Sequence, residues 1–298
     1  MLGFSVLGGL SSSLIWTSTI ATIGHWFSAR RGLATGIATT AGAIGGIIFP
    51  LMIQALIPRV GFAWTMRILG FVSIGFNGVA FALMSTRIPP SVVKKPRFDF
   101  QGFKDNRFTL TIAAIFVIDL AVVVPPYFIT TYALAHQVDP SYSYQLLAIL
   151  NAASVIGRGL PGMIADRWGR FNVMIISSLS CTFLILLLWM FAGNSTVAIT
   201  MFSILFGIFS GTAYSLTPVC VSQLCRTEEY GTRYGTAYGL VSFATLAGVP
   251  VSGLILATGG GGNYKALMWF CGALYALATG LFSLARGLGS GWKLSMVF

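Results

Sequence analysis

Long, uninterrupted apolar runs limit what this chain can fold into. They cover residues 2–23, 32–57, 62–84, 108–133, 144–164, 172–192, 196–224, 234–258 and 265–285. Each is close to or above the roughly 20 residues a helix needs to cross a bilayer. The runs are continuous rather than alternating, which argues against barrel strands. Only 8% of the 298 residues are charged, and mean hydropathy is +0.83. A soluble domain carries about 25% charged residues, and a soluble chain of this composition would expose large apolar patches. The expectation is an all-α polytopic membrane protein with nine transmembrane helices. Soluble enzymes, disordered chains and disulfide-stapled secreted domains are poor readings. The first run has no basic leader and is too long for a signal peptide.

The charge pattern gives the expected topology. Lys and Arg number 18 against 7 acids, for a net charge of +11. Fourteen of the basic residues, including Arg30, Arg31 and Arg233, fall in the loops after runs one, three, five and seven and in the tail. Arg59, Arg67 and Lys265 lie on the other side, and Arg158 lies inside a run. That bias places the loops after the odd-numbered runs, and the C-terminus, in the cytoplasm. The positive charge is therefore a membrane-topology signal, and no nucleic-acid partner is expected. An odd number of helices puts the N-terminus outside with no hydrophilic leader, which suggests that helices are absent there. The four cysteines form no CxxC pair and read as packing residues.

Residues 85–107 hold Pro89, Pro90, Lys94, Lys95 and Pro96 and read as a cytoplasmic linker. They divide a partial N-terminal bundle (1–84) from a six-helix C-terminal bundle with a short tail (108–298). The two units look related. A shift of 203 positions brings Arg30 onto Arg233, Ala34 onto Ala237, Gly36 onto Gly239 and Gly45 onto Gly248. Runs one to three then pair with runs seven to nine. Repeated six-helix halves are a transporter plan, on which three N-terminal helices are missing.

The most specific signal lies between runs five and six: Gly162-Met-Ile-Ala-Asp166-Arg167-Trp-Gly169-Arg170-Phe171. Asp166 is placed to cap the helix that follows. Arg167 and Arg170 can bridge to neighbouring helix ends, and Gly169 permits a tight turn. Such a cluster can latch two bundles and release as they rock. The segment resembles the Gly-x-x-x-Asp-Arg-x-Gly-Arg-Arg loop of the major facilitator superfamily, with Phe171 replacing a basic residue. Residues 27–36 (FSARRGLATG), 61–67 (GFAWTMR) and 150–158 (LNAASVIGR), with the closing Gly291-Trp292-Lys293-Leu294, resemble fungal monocarboxylate-transporter-like proteins. The resemblance covers nearly the whole chain. It implies that the nine runs match that family's fourth to twelfth helices, and that the chain is a fragment.

Ionisable residues inside a membrane are the functional candidates. Arg158 lies about 9 Å from the cytoplasmic face and Asp119 about 16 Å deep, at 1.5 Å per residue. By resemblance, Arg158 matches the arginine that pairs with substrate carboxylate, a task its forked donors suit; Asn151 and Ser154 lie beside it on the same run. The alternative is a structural arginine bonded to carbonyls or to Asp119. Asp119 has three readings: partner of Arg158, proton carrier, or a local role. Animal members carry an aspartate one turn before the arginine, where Ser154 stands here, and the lysine of their first helix has no counterpart. Proton coupling is therefore not carried over.

Weaker features complete the pattern. Gly32/Gly36, Gly42/Gly46, Gly207/Gly211 and Gly235/Gly239 permit close helix approach, within the chain rather than between copies. Pro125-Pro126 and Pro218 interrupt their runs. Asn194-Ser195-Thr196 is a sequon in a loop too short to be glycosylated. No metal, cofactor or enzymatic motif is evident. The expected function is secondary transport of a small organic anion by alternating access, at the plasma membrane by default. Riboflavin-like compounds or secondary metabolites are alternative solutes. The competing class is a non-transporting remnant or a regulator of full-length relatives.

Overall fold

The computed structural model describes residues 6–85, 99–258 and 262–290. Apart from the short 3-10 segment Gln101–Lys104 and a π-helical stretch, the described elements are α-helices: α1 (Gly8–Trp26), α2 (Arg31–Leu83), α3 (Asn106–Val122), α4 (Val124–Ala135), α5 (Pro140–Trp168), α6 (Arg170–Phe183), α7 (Met190–Ala192), α8 (Thr196–Gln223), α9 (Thr227–Ala257) and α10 (Tyr264–Ser290). The π-helical Leu184–Trp189 joins α6 to α7. An apolar surrounding forces this outcome, because a helix satisfies its backbone groups internally. The polar residues between runs start the helices. The carboxylates of Asp105 and Asp139 accept the amides of Arg107 and Tyr142, and Ser195 Oγ accepts that of Ala198.

Seven helices are long and apolar enough to span a membrane, where nine runs were expected. Runs two and three form the single 53-residue α2, broken at Gly61, whose φ of 75° and ψ of 168° are not helical. α1 contains Ser11, Ser12, Ser13, Thr17, Ser18 and Thr19 within its 19 residues, and these dilute its hydropathy. The fourth run is also divided: a turn at Val123 separates α3 from α4, because Pro125 and Pro126 supply no amide to continue the first helix. The incomplete N-terminal half is not a feature that the described residues establish. Within the expected linker, residues 86–98 lie outside the described segments, as does the 291–294 motif.

Glycines set the packing order. α5 lies between α2 and α8, its two most extensive partners. A Cβ on Gly157 would collide with the carbonyl oxygen of Ile208, and one on Gly207 with that of Leu150. On the other side, a Cβ on Gly36 would sit 2.5 Å from Arg158 O, and one on Gly32 2.6 Å from Gly162 O. Three of the four glycine pairs therefore serve close approach within the chain. Gly235 and Gly239 meet nothing within 4 Å. The buried core continues through Trp189, Phe202, Phe206 and Tyr275, stacked or edge-on at 4.8–6.0 Å. The outer faces carry exposed large apolar side chains such as Phe183, Leu187, Leu246 and Leu254, as lipid contact requires.

The glycine seams predict an asymmetric response to a single methyl group. Gly157→Ala destabilises the chain by about 1–3 kcal/mol, the usual cost of overpacking. Gly159→Ala, two residues on and facing open space, leaves stability unchanged or slightly raised. Thermal unfolding in detergent measures both.

Candidate functional site

Two groups of polar residues stand out against this apolar frame: a latch at the basic end of the bundle and a charged pair of positions in its interior.

The latch is built on α5 and α2. Asp166 Oδ1 accepts the amide of Gly32 at 3.0 Å, and Oδ2 accepts that of Leu33 at 3.0 Å. Asp166 therefore caps α2, far away in the chain, and not the helix that follows it. The reason is steric: Gly32 and Gly162 let the two backbones touch, so the free amides of α2 lie under the carboxylate. A carboxylate there also faces the positive end of the helix dipole. Gly169 takes a φ of 95° and turns the chain from α5 into α6. Arg170 sits 3.8 Å from Asp166 and donates to Ser28 O at 3.3 Å. Arg167 is exposed.

Arg30 and Arg31 diverge. Arg30 is exposed, whereas Arg31 is buried: Nη2 donates to Gly24 O at 2.6 Å, Nε to Phe27 O at 3.0 Å, and the guanidinium lies over the Tyr230 ring. Tyr230 begins a ladder with Tyr234 and Tyr238 along α9, one helical turn apart. Trp16 of α1 donates to Tyr234 Oη at 3.2 Å. α1 thus closes against α9 as α2 closes against α5. Spacing at i, i+4 and i+8 made the ladder legible in the sequence, but the sequence reading did not single it out. Arg233 pairs with Asp99 at 2.9 Å and with Glu229 at 3.2 Å, which fastens the residues just before α3 to α9. Burial alone would raise the Asp99 carboxyl, but the hydrogen bonds from Arg233 and the Gln101 amide hold it below its usual value.

In the interior, Arg158 is 8% exposed. Its Nε donates to Ser154 Oγ at 3.2 Å and its Nη1 to the Thr39 carbonyl of α2 at 2.7 Å. The guanidinium carbon lies 4.6 Å from the centre of the Tyr214 ring, a cation–π contact. Nη2 has no protein partner among the described residues. The expected pairing with Asp119 is not formed: no ion pair joins them. Tyr214 of α8 lies within electrostatic reach of both. The carbonyl of Thr39 is available to Arg158 because Gly42, one turn on, presents no Cβ to the guanidinium. Neither Thr39 nor Tyr214 is an ionisable residue of the usual functional kind, and the sequence reading missed both. Asn151 Nδ2 donates to Leu147 O at 3.1 Å and to Gly46 O at 3.4 Å. Asn151 therefore contacts α2 one level farther from the latch than Arg158.

Asp119 lines a separate cavity of about 490 Å³ with Ser12, Ser13, Trp16, Thr17 and Tyr238. Among the described residues no cluster of His, Cys, Asp or Glu could hold a metal ion. All four cysteines are unpaired.

Two outcomes follow from the latch. Asp166→Ala leaves the Gly32 and Leu33 amides without their acceptor and costs about 1–2 kcal/mol of stability, read by thermal unfolding in detergent. The Asp99 carboxyl is depressed, so its contact with Arg233 contributes fully above the ordinary carboxylate pKa of about 4. It is lost as pH falls through the lower folded value. Hydrogen exchange at the Asp99 amide, which donates to Thr236 Oγ1, stays slow at pH 5 and quickens only in stronger acid.

Comparison with known proteins agrees with this geometry. The family model described as "Major Facilitator Superfamily" matches residues 1–235 and again 162–290. The MFS-type transporter opdF of Penicillium oxalicum is 37% identical over 99% of this chain and 69% of its own length. The riboflavin transporter MCH5 of Saccharomyces cerevisiae is 28% identical over 98% of this chain and 61% of its own. The aspyridones efflux protein apdF of Emericella nidulans is 32% identical over 86% and 52%. The chain thus spans about half to two thirds of the length of these relatives. Among solved structures, the major facilitator transporter FucP, in an outward conformation, superposes with a TM-score of 0.68 at 14% identity, covering 90% of this chain and 72% of that one. The chain is an integral membrane protein and belongs to the major facilitator superfamily.

Proposed function

We propose that the chain is a secondary transporter of a small organic anion of the monocarboxylate kind, moved by alternating access between two bundles. The observation that carries this reading is Arg158. It is a buried guanidinium with two donor groups satisfied by Ser154 and Thr39 and its Nη2 left without a protein partner. A desolvated cation in an apolar bundle needs an acceptor, and a carboxylate matches its geometry. Asn151 and Ser154 belong to the same site, whereas Asp119 lines a separate cavity. The printed names of relatives, a riboflavin transporter and an efflux protein for aspyridones, favour a riboflavin-like compound or a secondary metabolite as the alternative cargo.

Gly162, Asp166, Arg167, Gly169 and Arg170 act as the gating motif. With Asp166 bonded to the start of α2, the basic end is closed; release of those two hydrogen bonds lets α2 and α5 part. The basic loops and the C-terminus lie in the cytoplasm of a plasma-membrane protein. The reading takes α1 and the two parts of α2 on either side of Gly61 as separate crossings, nine in all. The reading needs no cofactor and no enzymatic step.

One observation favours a second reading. Residues 74–85 are exposed all round, without the packed face a bundle helix normally has. That suits a chain that works beside further helices, as a non-transporting regulator of a full-length relative. Robust counterflow by the purified chain alone removes this reading.

The transport reading is tested by counterflow of radiolabelled benzoate and of riboflavin in proteoliposomes. Arg158→Ala abolishes uptake of the accepted solute, and Arg158→Lys, a point charge without the fork, lowers it about tenfold. Unchanged uptake in both variants takes Arg158 out of the binding site.

A further inference from the structure

The Gly235/Gly239 pair of α9 takes no part in helix packing, because a Cβ at either position meets nothing within 4 Å. Both glycines line the cavity of about 490 Å³ to which Asp119 belongs. α9 packs against both α1 and α3, and the absence of side chains at these two positions leaves the space among the three helices open. Its volume is in the range of sites for small organic ligands.

The wall has a definite chemistry. Asp119 is its one charged residue, and no Lys, Arg or His lines it. The carboxylate makes no hydrogen bond or ion pair with any described residue, and a carboxylate inside a bundle is costly unless a cation or a proton joins it. Three hydroxyls of α1, on Ser12, Ser13 and Thr17, line the cavity and have no hydrogen-bond partner among the described residues. Ser11, Ser18 and Thr22 of the same helix instead bond back to a carbonyl one turn earlier. Two aromatic side chains complete the wall, and both are anchored. Trp16 Nε1 donates to Tyr234 Oη at 3.2 Å, and the Tyr238 hydroxyl shares a hydrogen bond with Thr217 Oγ1 at 2.7 Å. The other cavity of similar size, about 480 Å³ beside Gly46, Pro50 and Tyr144, has no charged side chain.

We propose that the cavity among α1, α3 and α9 is a binding site for a small organic ammonium ion. Asp119 is the counter-ion, the Trp16 and Tyr238 rings attract the positive charge, and the α1 hydroxyls accept the N–H groups. The site is distinct from that of Arg158, which does not line this cavity and whose contacts run to Thr39 of α2 and Tyr214 of α8. The inference therefore stands without the anion reading. A ligand that joins the α1 hydroxyls to Asp119 also ties α1 to α3, which adds to the contact Trp16 makes with α9.

The test titrates benzylamine, and benzyl alcohol as its uncharged counterpart, into the purified chain in detergent at neutral pH, followed by calorimetry. Benzylamine binds saturably and benzyl alcohol at least tenfold more weakly, the usual worth of a charged hydrogen bond. Asp119→Asn, which keeps the shape of the side chain, lowers benzylamine affinity at least tenfold. Gly239→Leu, which grows a side chain into open space and alters no charge, also lowers it, and thermal unfolding without ligand confirms that this variant is folded. No saturable binding of benzylamine, equal affinity for the alcohol, or an affinity that survives either substitution overturns the proposal. Sodium ions that bind by themselves and displace benzylamine also overturn it, in favour of an inorganic cation.

Discussion

Close backbone contact along α5 is the constraint on which the rest depends. Gly157 and Gly207 bring α5 against α8, and Gly32, Gly36 and Gly162 bring it against α2. Without a hydrophobic driving force between helices in lipid, association depends on such packing and on polar contacts made possible by it. The functional geometry follows from the same seams. Only where α2 touches α5 can Asp166 reach the Gly32 and Leu33 amides, and only there can Arg158 reach the Thr39 carbonyl. The latch and the interior cation are two levels of one interface.

The interface is also well suited to move. The Asp166 contact joins a charge to a helix end through two hydrogen bonds, and Arg158 bridges α5 to α2 through one. Few directional bonds hold a smooth, small-residue seam. On the proposed transport reading, rocking of two bundles needs a closed state that is specific yet reversible, and a glycine seam closed by a few charged contacts meets both needs. The α1–α9 contact, with Trp16, Arg31 and the tyrosine ladder, forms a second closure on the same end of the molecule.

Much of this was legible in the sequence. The apolar runs gave helices, the loop from Gly162 to Arg170 gave a charged cluster with its glycine turn, and the lone interior Arg158 and Asp119 were picked out as the positions where charge is expensive. What the sequence could not show was partnership across helices. Asp166 suits an N-cap equally well on the helix after it or on one far away in the chain, and only the approach of Gly32 to Gly162 decides. Opposite charges inside one bundle suggest a pair, yet α3 and α5 do not pack against each other and a backbone carbonyl takes the arginine. The run count differed for a similar reason. Gly61 leaves the hydrogen-bonded element continuous to either side, and the hydroxyls of α1 lower its hydropathy while lining the Asp119 cavity.

The central claim is that Arg158 meets a carboxylate inside the bundle. Solid-state magnetic resonance on the reconstituted chain can measure the distance between the labelled carboxyl carbon of benzoate and the labelled guanidinium nitrogens. The account predicts a separation of about 4 Å or less, as for a carboxylate held by a guanidinium, and its loss in Arg158→Lys. A bound benzoate with no contact to the Arg158 guanidinium would contradict it.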